Sequence, residues 1–457
     1  MSDLSDSNRR VAVLGAGLAG LRAASLLERR GFEVVVFEAR ISVGGRAGGE
    51  WRAGHWMDSA WPVLGGRDVT LARWARELDL GDALLPLRPV QTTLLRSGES
   101  CPVDGLSLRG AARIPGPPFW ERLKLLRWGR LMARYAAQLD PSFPERAADL
   151  DYRSLRDHVA LYFGLGALEF WLAPEVQAEY GDEVEELSRV ALLQHALARG
   201  MGERRPGLPG LPRRPLLELA QAAAERLDVR RGSEVLRIDE EPAGGYRLEI
   251  LAADRTRSVA RCEAVVVALG PAPAARVAGS LLTPAERDYF GALRERHSVA
   301  LSVAVEGVEG GLPQEIRIPR REASVISSIV VEPGQLGGRV PEGRSQVVLL
   351  ARDAFAQGGC DMPDDALMKS LLDGLAGVLP GIGERILATH LGRARVPFFA
   401  VGHYRLLANF QRVQRDRRAL GRRLYWAGDH LGGPSFEAAS LSGARAAQAL
   451  LEDFGRP

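Results

Sequence analysis

Short apolar runs punctuated by glycine set the pattern of the first forty residues. Val11-Ala-Val-Leu14 is a strand-type run, Leu21 to Arg30 reads as a helix that Gly31 ends, and Glu33-Val-Val-Val-Phe37 is a second strand with Glu38 at its tip. Further along, Leu216 to Leu227 has the spacing of an amphipathic helix. Val229 to Ile238 reads as strand pieces leading to a hairpin at Ala243-Gly-Gly245, and Glu263 to Pro271 as a fully buried strand. Near the end, Arg423-Leu-Tyr-Trp-Ala427 is a strand, and a helix runs from near Ser435 to about Leu451. Phe119 to Leu139 predicts one helix with Trp128, Leu131, Met132, Tyr135 and Leu139 on one face and Arg127, Arg130 and Arg134 on another. The Pro/Gly-rich stretch from Arg204 to Pro215 reads as a crossover linker.

Between the first strand and its helix lies Gly15-Ala-Gly-Leu-Ala-Gly20, and Glu38 stands 18 residues after Gly20. Strand, glycine turn, helix, strand and acid in that order form a βαβ unit for a dinucleotide. The glycines allow a tight turn and close approach of a pyrophosphate to a helix N-terminus, and the acid accepts hydrogen bonds from ribose hydroxyls. On this reading Gly15, Gly17, Leu18, Ala19 and Gly20 form the phosphate turn and Glu38 the ribose site, with Ala39 and Arg40 beside it.

A second glycine-rich loop, Gly44-Gly-Arg46-Ala-Gly-Gly49, follows at once, and the C-terminal strand leads into Gly428-Asp429 and then Gly432-Gly-Pro-Ser-Phe-Glu437. Together these resemble the FAD-binding signature of the superfamily of flavin amine oxidases, protoporphyrinogen oxidases and phytoene-type desaturases. The likeness extends over nearly the whole chain and is strongest over 11–60, 208–271 and 423–451. It implies an α/β fold: a Rossmann-type FAD-binding domain (GR2-like) from 1–70, 206–275 and 396–457. An inserted α+β substrate domain would occupy 71–205 and 276–395, with a helical part near 118–200. It also implies that Gly45 and Arg46 lie along FAD, that Val235 meets adenine through its backbone, and that Gly428 and Asp429 contact the ribityl and phosphate region. Ser435 and Phe436 would open a helix whose N–H groups face the flavin, where a helix N-terminus favours the negative charge that grows as a flavin accepts a hydride. The plainer reading of Ser435 is an N-cap, and both can hold.

Composition narrows the class. With 46% hydrophobic and 26% charged residues, disorder and collagen-like structure are excluded. No apolar run reaches the roughly 18 residues a membrane helix needs, and the opening Met-Ser-Asp-Leu-Ser-Asp-Ser lacks an apolar core, so a cytoplasmic protein is expected. Cys101, Cys262 and Cys360 lie too far apart in sequence for a disulfide framework or zinc site, so no metal is expected. A net charge of +3 does not suggest a nucleic-acid partner. The basic face near 119–139 is either a solvated face of a domain helix or a peripheral contact with an anionic membrane.

Only Lys124 and Lys369 are lysines, so 58 of the 60 cations are arginine. Flavin amine oxidases commonly carry a lysine that holds a water near flavin N5. The corresponding strand here, His297 to Val305, has none, and no cysteine follows Cys360 for a covalent link, which implies non-covalent FAD. No triad or metal cluster is found, and hydride transfer needs little acid/base machinery. Pocket candidates are His55, Trp56 and Trp61 after the second loop, Phe398, Phe399, His403 and Tyr404 before the last FAD segment, and His430 after Asp429. Each also has an ordinary reading as a core or satisfied residue; as a group they suggest an apolar, aromatic-lined pocket. The expected activity is oxidation of a C–C or C–N single bond in a largely apolar or planar small molecule, with O2 or a quinone as acceptor, closest to the protoporphyrinogen oxidase and desaturase branch. The alternatives are a flavin amine oxidase and a protein in which FAD is structural or undergoes no net redox change.

Overall fold

The computed structural model describes residues 9–455 apart from 86, 308–311 and 336–337. The opening residues on which the absence of a leader was argued lie outside the described residues. The chain divides into two compact units, one of 9–47, Leu217–Leu293 and 406–455, the other of Gly48–Leu216 and Arg294–Arg405.

The first unit is built on the predicted βαβ element. Strand β1 (Arg10–Leu14) leads to helix α1 (Leu18–Glu28), and Gly31, at φ +82°, turns the chain into strand β2 (Glu33–Glu38). Glycine suits that turn because φ in this range is costly for residues with a Cβ. Strands β3 (Asp228–Arg231), β4 (Ala264–Val267) and β5 (Leu424–Trp426) complete a five-stranded parallel sheet ordered β5-β4-β1-β2-β3. Val265 and Val266 in β4 are wholly buried, as a central parallel strand covered on both faces requires. The predicted hairpin joins Ser233–Glu240 to Tyr246–Ala252 in a separate three-stranded antiparallel sheet. Helix α2 (Phe436–Gly455) packs on α1 so closely that a Cβ on Gly443 would lie 2.0 Å from the Ala19 carbonyl oxygen.

The second unit contains a seven-stranded sheet ordered 386–398, 294–306, 344–351, 326–333, 314–317, 91–96 and 99–102, together with a helical part. The strand expected at 297–305 runs from Arg294 to Glu306 and pairs along its length with Ile386–Phe398. A helical core gathers Trp128, Leu131, Tyr135, Leu155, Phe163, Trp171 and Leu192.

One expectation is revised. The helix predicted over 119–139 is three pieces: Phe119–Lys124, a 3-10 turn at Leu125–Arg127, and Trp128–Tyr135. Trp128, Leu131 and Tyr135 point into the core, while Phe119, Trp120, Leu123 and Leu126 face outward. The units divide at 47, 216, 293 and 405; the expected boundaries are 70, 205, 275 and 395. The hairpin of Gly49–Arg52 and His55–Asp58 joins the second unit through Ser302, whose hydroxyl donates to the Asp58 carbonyl at 2.8 Å. Helices Pro271–Val277 and Pro284–Ala292 bury Ala274, Val277, Tyr289 and Phe290 against Val265 and Val267 of the first.

Candidate functional site

In an open parallel sheet, ligands bind outside the carboxyl ends of the strands where the strand order reverses. Here that point is the end of β1, between β4 and β2, and the sequence-predicted motifs of the first unit follow strand ends on this edge. Gly15 (φ +99°) leaves β1 beside the chain that follows β4; a Cβ there would lie 2.7 Å from the Ala268 carbonyl oxygen. A Cβ on Gly20 would lie 2.0 Å from the Gly15 carbonyl oxygen. Gly17 differs: a Cβ there would meet nothing within 4 Å, so this glycine borders open space. Gly17 is the N-cap of α1 and supplies no side-chain cap, and the first turn, containing Leu18 and Ala19, holds no acidic residue. The helix therefore presents its N-terminal N–H groups and positive dipole end without a carboxylate of its own.

The second glycine loop lies along this turn. The Gly44 N–H donates to the Ala16 carbonyl at 2.8 Å, Gly17 and Gly44 form a parallel bridge, and Gly45 lies close to Gly17, its virtual Cβ 3.4 Å from the Gly17 Cα. Glu38 anchors the same loops, accepting from the Ala16 N–H at 2.7 Å and the Arg40 N–H at 3.0 Å. A carboxylate has about four acceptor sites, so two bonds leave capacity for hydroxyl donors. Ala39 and Arg40 beside it are exposed. Val235 is a buried residue on the edge strand of the three-stranded sheet, next to a register shift between Val235 and Arg237.

After β5, Gly428 at φ +145° turns the chain, and its N–H donates to Ser442 Oγ at 3.0 Å. Buried Asp429 pairs with half-buried Arg46 at 2.5 Å, joining the two motifs that the resemblance placed along one ligand. His430 is wholly buried, and neither ring nitrogen meets a partner among the described residues. Burial holds its pKa down at about 4 despite the neighbouring Asp429 charge, with Arg46 adding to the depression, so it is a neutral imidazole. Ser435 Oγ accepts from the Ala438 N–H at 3.1 Å and is an N-cap of α2, with Phe436 the first helical residue. An uncapped helix N-terminus beside an open glycine face fits the phosphates of a dinucleotide. The orphaned His430 nitrogens mark a second polar position that a ligand can satisfy.

The other pocket candidates lie in the second unit. Trp56 is buried and donates its indole N–H to Asp58 at 3.0 Å. His55 is also buried, with Nδ1 3.0 Å from the Ala53 carbonyl oxygen, and burial lowers its pKa. Trp61 packs beside Val63, Val90 and Leu211. Phe398, Phe399 and Tyr404 belong to the helical core, and the Phe399 ring lies tilted against that of His403, centroids 4.4 Å apart. All of these except half-buried Trp61 are buried, and His55 Nε2 and the Tyr404 hydroxyl meet no hydrogen-bond partner among the described residues.

Sequence reasoning missed two buried ionic networks in this unit. In one, Asp58 accepts from Arg339 at 2.9 and 3.2 Å, and Arg339 and Arg88 both pair with Glu332. Burial pushes the Asp58 carboxyl up even though Arg339 opposes it. In the other, His195 lies between Glu175 (3.4 Å) and Glu179 (3.2 Å), while Arg317 pairs with Glu175 and Glu315, and Arg199 with Glu179. Burial alone would lower the His195 pKa, yet the facing carboxylates raise it. The arginine excess was the one signal in the sequence, since guanidinium is the cation best suited to buried carboxylates.

A family model described as flavin containing amine oxidoreductase matches residues 18–451. The chain belongs to that family. Its members are oxidoreductases, and the cofactor is FAD. A Mycobacterium tuberculosis protein, AofH, named as a flavin-containing monoamine oxidase, is 29% identical over 298 residues, 61% of this chain and 60% of that protein. The chain thus spans about three fifths of this relative's length. The phytoene desaturase (neurosporene-forming) of Rhodobacter capsulatus is 32% identical over 117 residues, 25% of this chain and 22% of that one. Among solved structures of this flavoprotein fold, putrescine oxidase bound to putrescine superposes with a TM-score of 0.73 at 19% identity, covering 97% of this chain and 99% of its own. Cyclohexylamine oxidase from Brevibacterium oxydans superposes with a TM-score of 0.70 at 17% identity, covering 98% and 100%. Among the described residues, no helix is long and apolar enough to cross a membrane, and no group of three or more potential ligands could hold a metal ion.

Proposed function

We propose that this family member is an FAD-dependent oxidase or dehydrogenase that removes a hydride from a C–C or C–N single bond of a largely apolar or planar small molecule, with O2 or a quinone as acceptor. In its first unit, the Gly15–Gly20 turn and the N-terminus of α1 would hold the pyrophosphate, Glu38 the adenosine ribose, the Val235 backbone the adenine, and Gly45, Arg46, Gly428, Asp429, Ser435 and Phe436 the flavin half. FAD supplies the two-electron chemistry. The chain's contribution is to bind and orient: the N-terminus of α2 and Arg46 favour negative charge, and neutral His430 offers a hydrogen-bonding imidazole without a proton to lose at neutral pH.

The observation that carries the desaturase-like reading is the placement of the lysines. The strand Arg294–Glu306 contains none, Lys369 is exposed and paired with Asp373 at 2.8 Å, and Lys124 ends the short helix Phe119–Lys124. No buried lysine is therefore available to hold a water. The second reading, a flavin amine oxidase, is favoured by the likeness to AofH over 298 residues.

Anaerobic stopped-flow reduction decides between them. Primary amines and polyamines should bleach the flavin poorly, and Lys124→Met and Lys369→Met should leave reduction by an effective apolar donor nearly unchanged. Fast bleaching by amines that either lysine substitution abolishes would return the protein to amine oxidation.

A further inference from the structure

We infer that the segment around Phe119–Leu126 docks the second unit on an anionic lipid surface. Within eight residues it presents Phe119 (62% exposed), Trp120 (71%), Leu123 (50%) and Leu126 (78%) to solvent. Positions i, i+4 and i+7 of a helical chain share a face, with Trp120 beside them. The Glu121 carboxylate accepts from the Ala167 N–H at 2.9 Å, and Gly164 is close enough that a Cβ there would collide with Glu121. That tie brings in the adjoining segment, in which Leu161 and Leu165 are each 57% exposed. Single exposed apolar residues are ordinary, but two large aromatics and four leucines in two tied segments are not.

Charge selects the occupant. Residues 119–139 hold five basic side chains and one acidic one, and that acid, Glu121, is engaged with Ala167. Arg127, Arg130 and Arg134 are exposed and carry no carboxylate partner among the ion pairs of the described residues. Aromatic and leucine side chains that enter the acyl boundary beside cations that meet lipid phosphates form the pattern of an interfacial helix. Each Arg near an anionic surface adds attraction that salt screens. The fold itself does not need the exposed side chains, because the core of this region is made by Leu125, Trp128, Leu131 and Tyr135.

The test is co-sedimentation of the FAD-loaded protein with phosphatidylcholine vesicles, with and without phosphatidylglycerol. The protein should sediment with the anionic vesicles, less with pure phosphatidylcholine, and less again in high salt. Trp120→Ser combined with Leu126→Ser should weaken partitioning at least about tenfold, and Arg127→Gln with Arg130→Gln and Arg134→Gln should remove the preference for anionic lipid. Both variants should keep the parent's thermal midpoint and flavin content, since the altered side chains are outside the core. Absence of binding to anionic vesicles, or binding indifferent to the Trp120 and Leu126 changes, would overturn the inference. So would a dimer seen by analytical ultracentrifugation that the same changes dissociate, for the face would then belong to a second copy.

Discussion

Glu38 offers the sharpest test of the cofactor site because the structure gives it two separable tasks. Its carboxylate already accepts the Ala16 and Arg40 N–H groups at 2.7 and 3.0 Å, and the proposed ribose contact would use its remaining lone pairs. Glu38→Ala removes all of these. The ties to Ala16 and Arg40 exist with or without ligand, so their loss falls on the apoprotein and should lower its thermal midpoint. The ribose bonds exist only in the complex, and losing a hydrogen bond to a charged acceptor costs about 1.5–3 kcal/mol. At about 1.4 kcal/mol per factor of ten, FAD binding should weaken about ten- to a hundredfold. Fluorescence titration of the apoprotein with FAD measures the second effect, and a melting curve of the same apoprotein the first. If Glu38→Ala melts early yet holds FAD as tightly as the parent, Glu38 only ties the loops and the ribose assignment fails.

Three other outcomes are expected. Gly20→Ala sets a Cβ 2.0 Å from the Gly15 carbonyl oxygen, a backbone clash that no rotamer relieves, so purified protein should carry far less flavin as read by its visible absorbance. Asp429→Asn leaves half-buried Arg46 without its counter-charge and should weaken FAD binding in the same titration; unchanged affinity would remove this pair from the cofactor site. His195, whose pKa is raised above the ordinary 6.5 by Glu179 and Glu175 against burial, stabilises the fold in its protonated form. That contribution is complete below pH 6.5 and is lost as pH rises through the raised value, so the thermal midpoint of the parent should fall over that range more steeply than that of His195→Gln. Parallel pH profiles for the two proteins would show that His195 does not titrate there.

Local chemistry made much of the first unit legible from the chain alone. A strand of four apolar residues, three glycines at fixed spacing and an acid at a strand tip are each short-range features. Their order admits one supersecondary structure, and the structure places Gly15 and Gly17 in the turn after β1, Gly20 in the first turn of α1 and Glu38 at the tip of β2, bonded to the Ala16 N–H of that turn. The lysine-free strand at 297–305 was readable for the same reason, since a short apolar run rich in β-branched valine acts within a few residues.

What tertiary structure alone decided is which side of an element other parts of the chain cover. Periodicity identified an apolar face on Trp128, Leu131 and Tyr135, and that face is buried; it was silent about Phe119, Trp120, Leu123 and Leu126, which are exposed. The pairing of Asp58 with Arg339, 281 positions away, and of Glu175 with Arg317, 142 away, left only an excess of arginine in the sequence. Charge in a linear chain does not reveal its partner, because the partner is chosen by the folding of distant strands onto one sheet, and burial then converts a weak surface attraction into a strict requirement for neutrality.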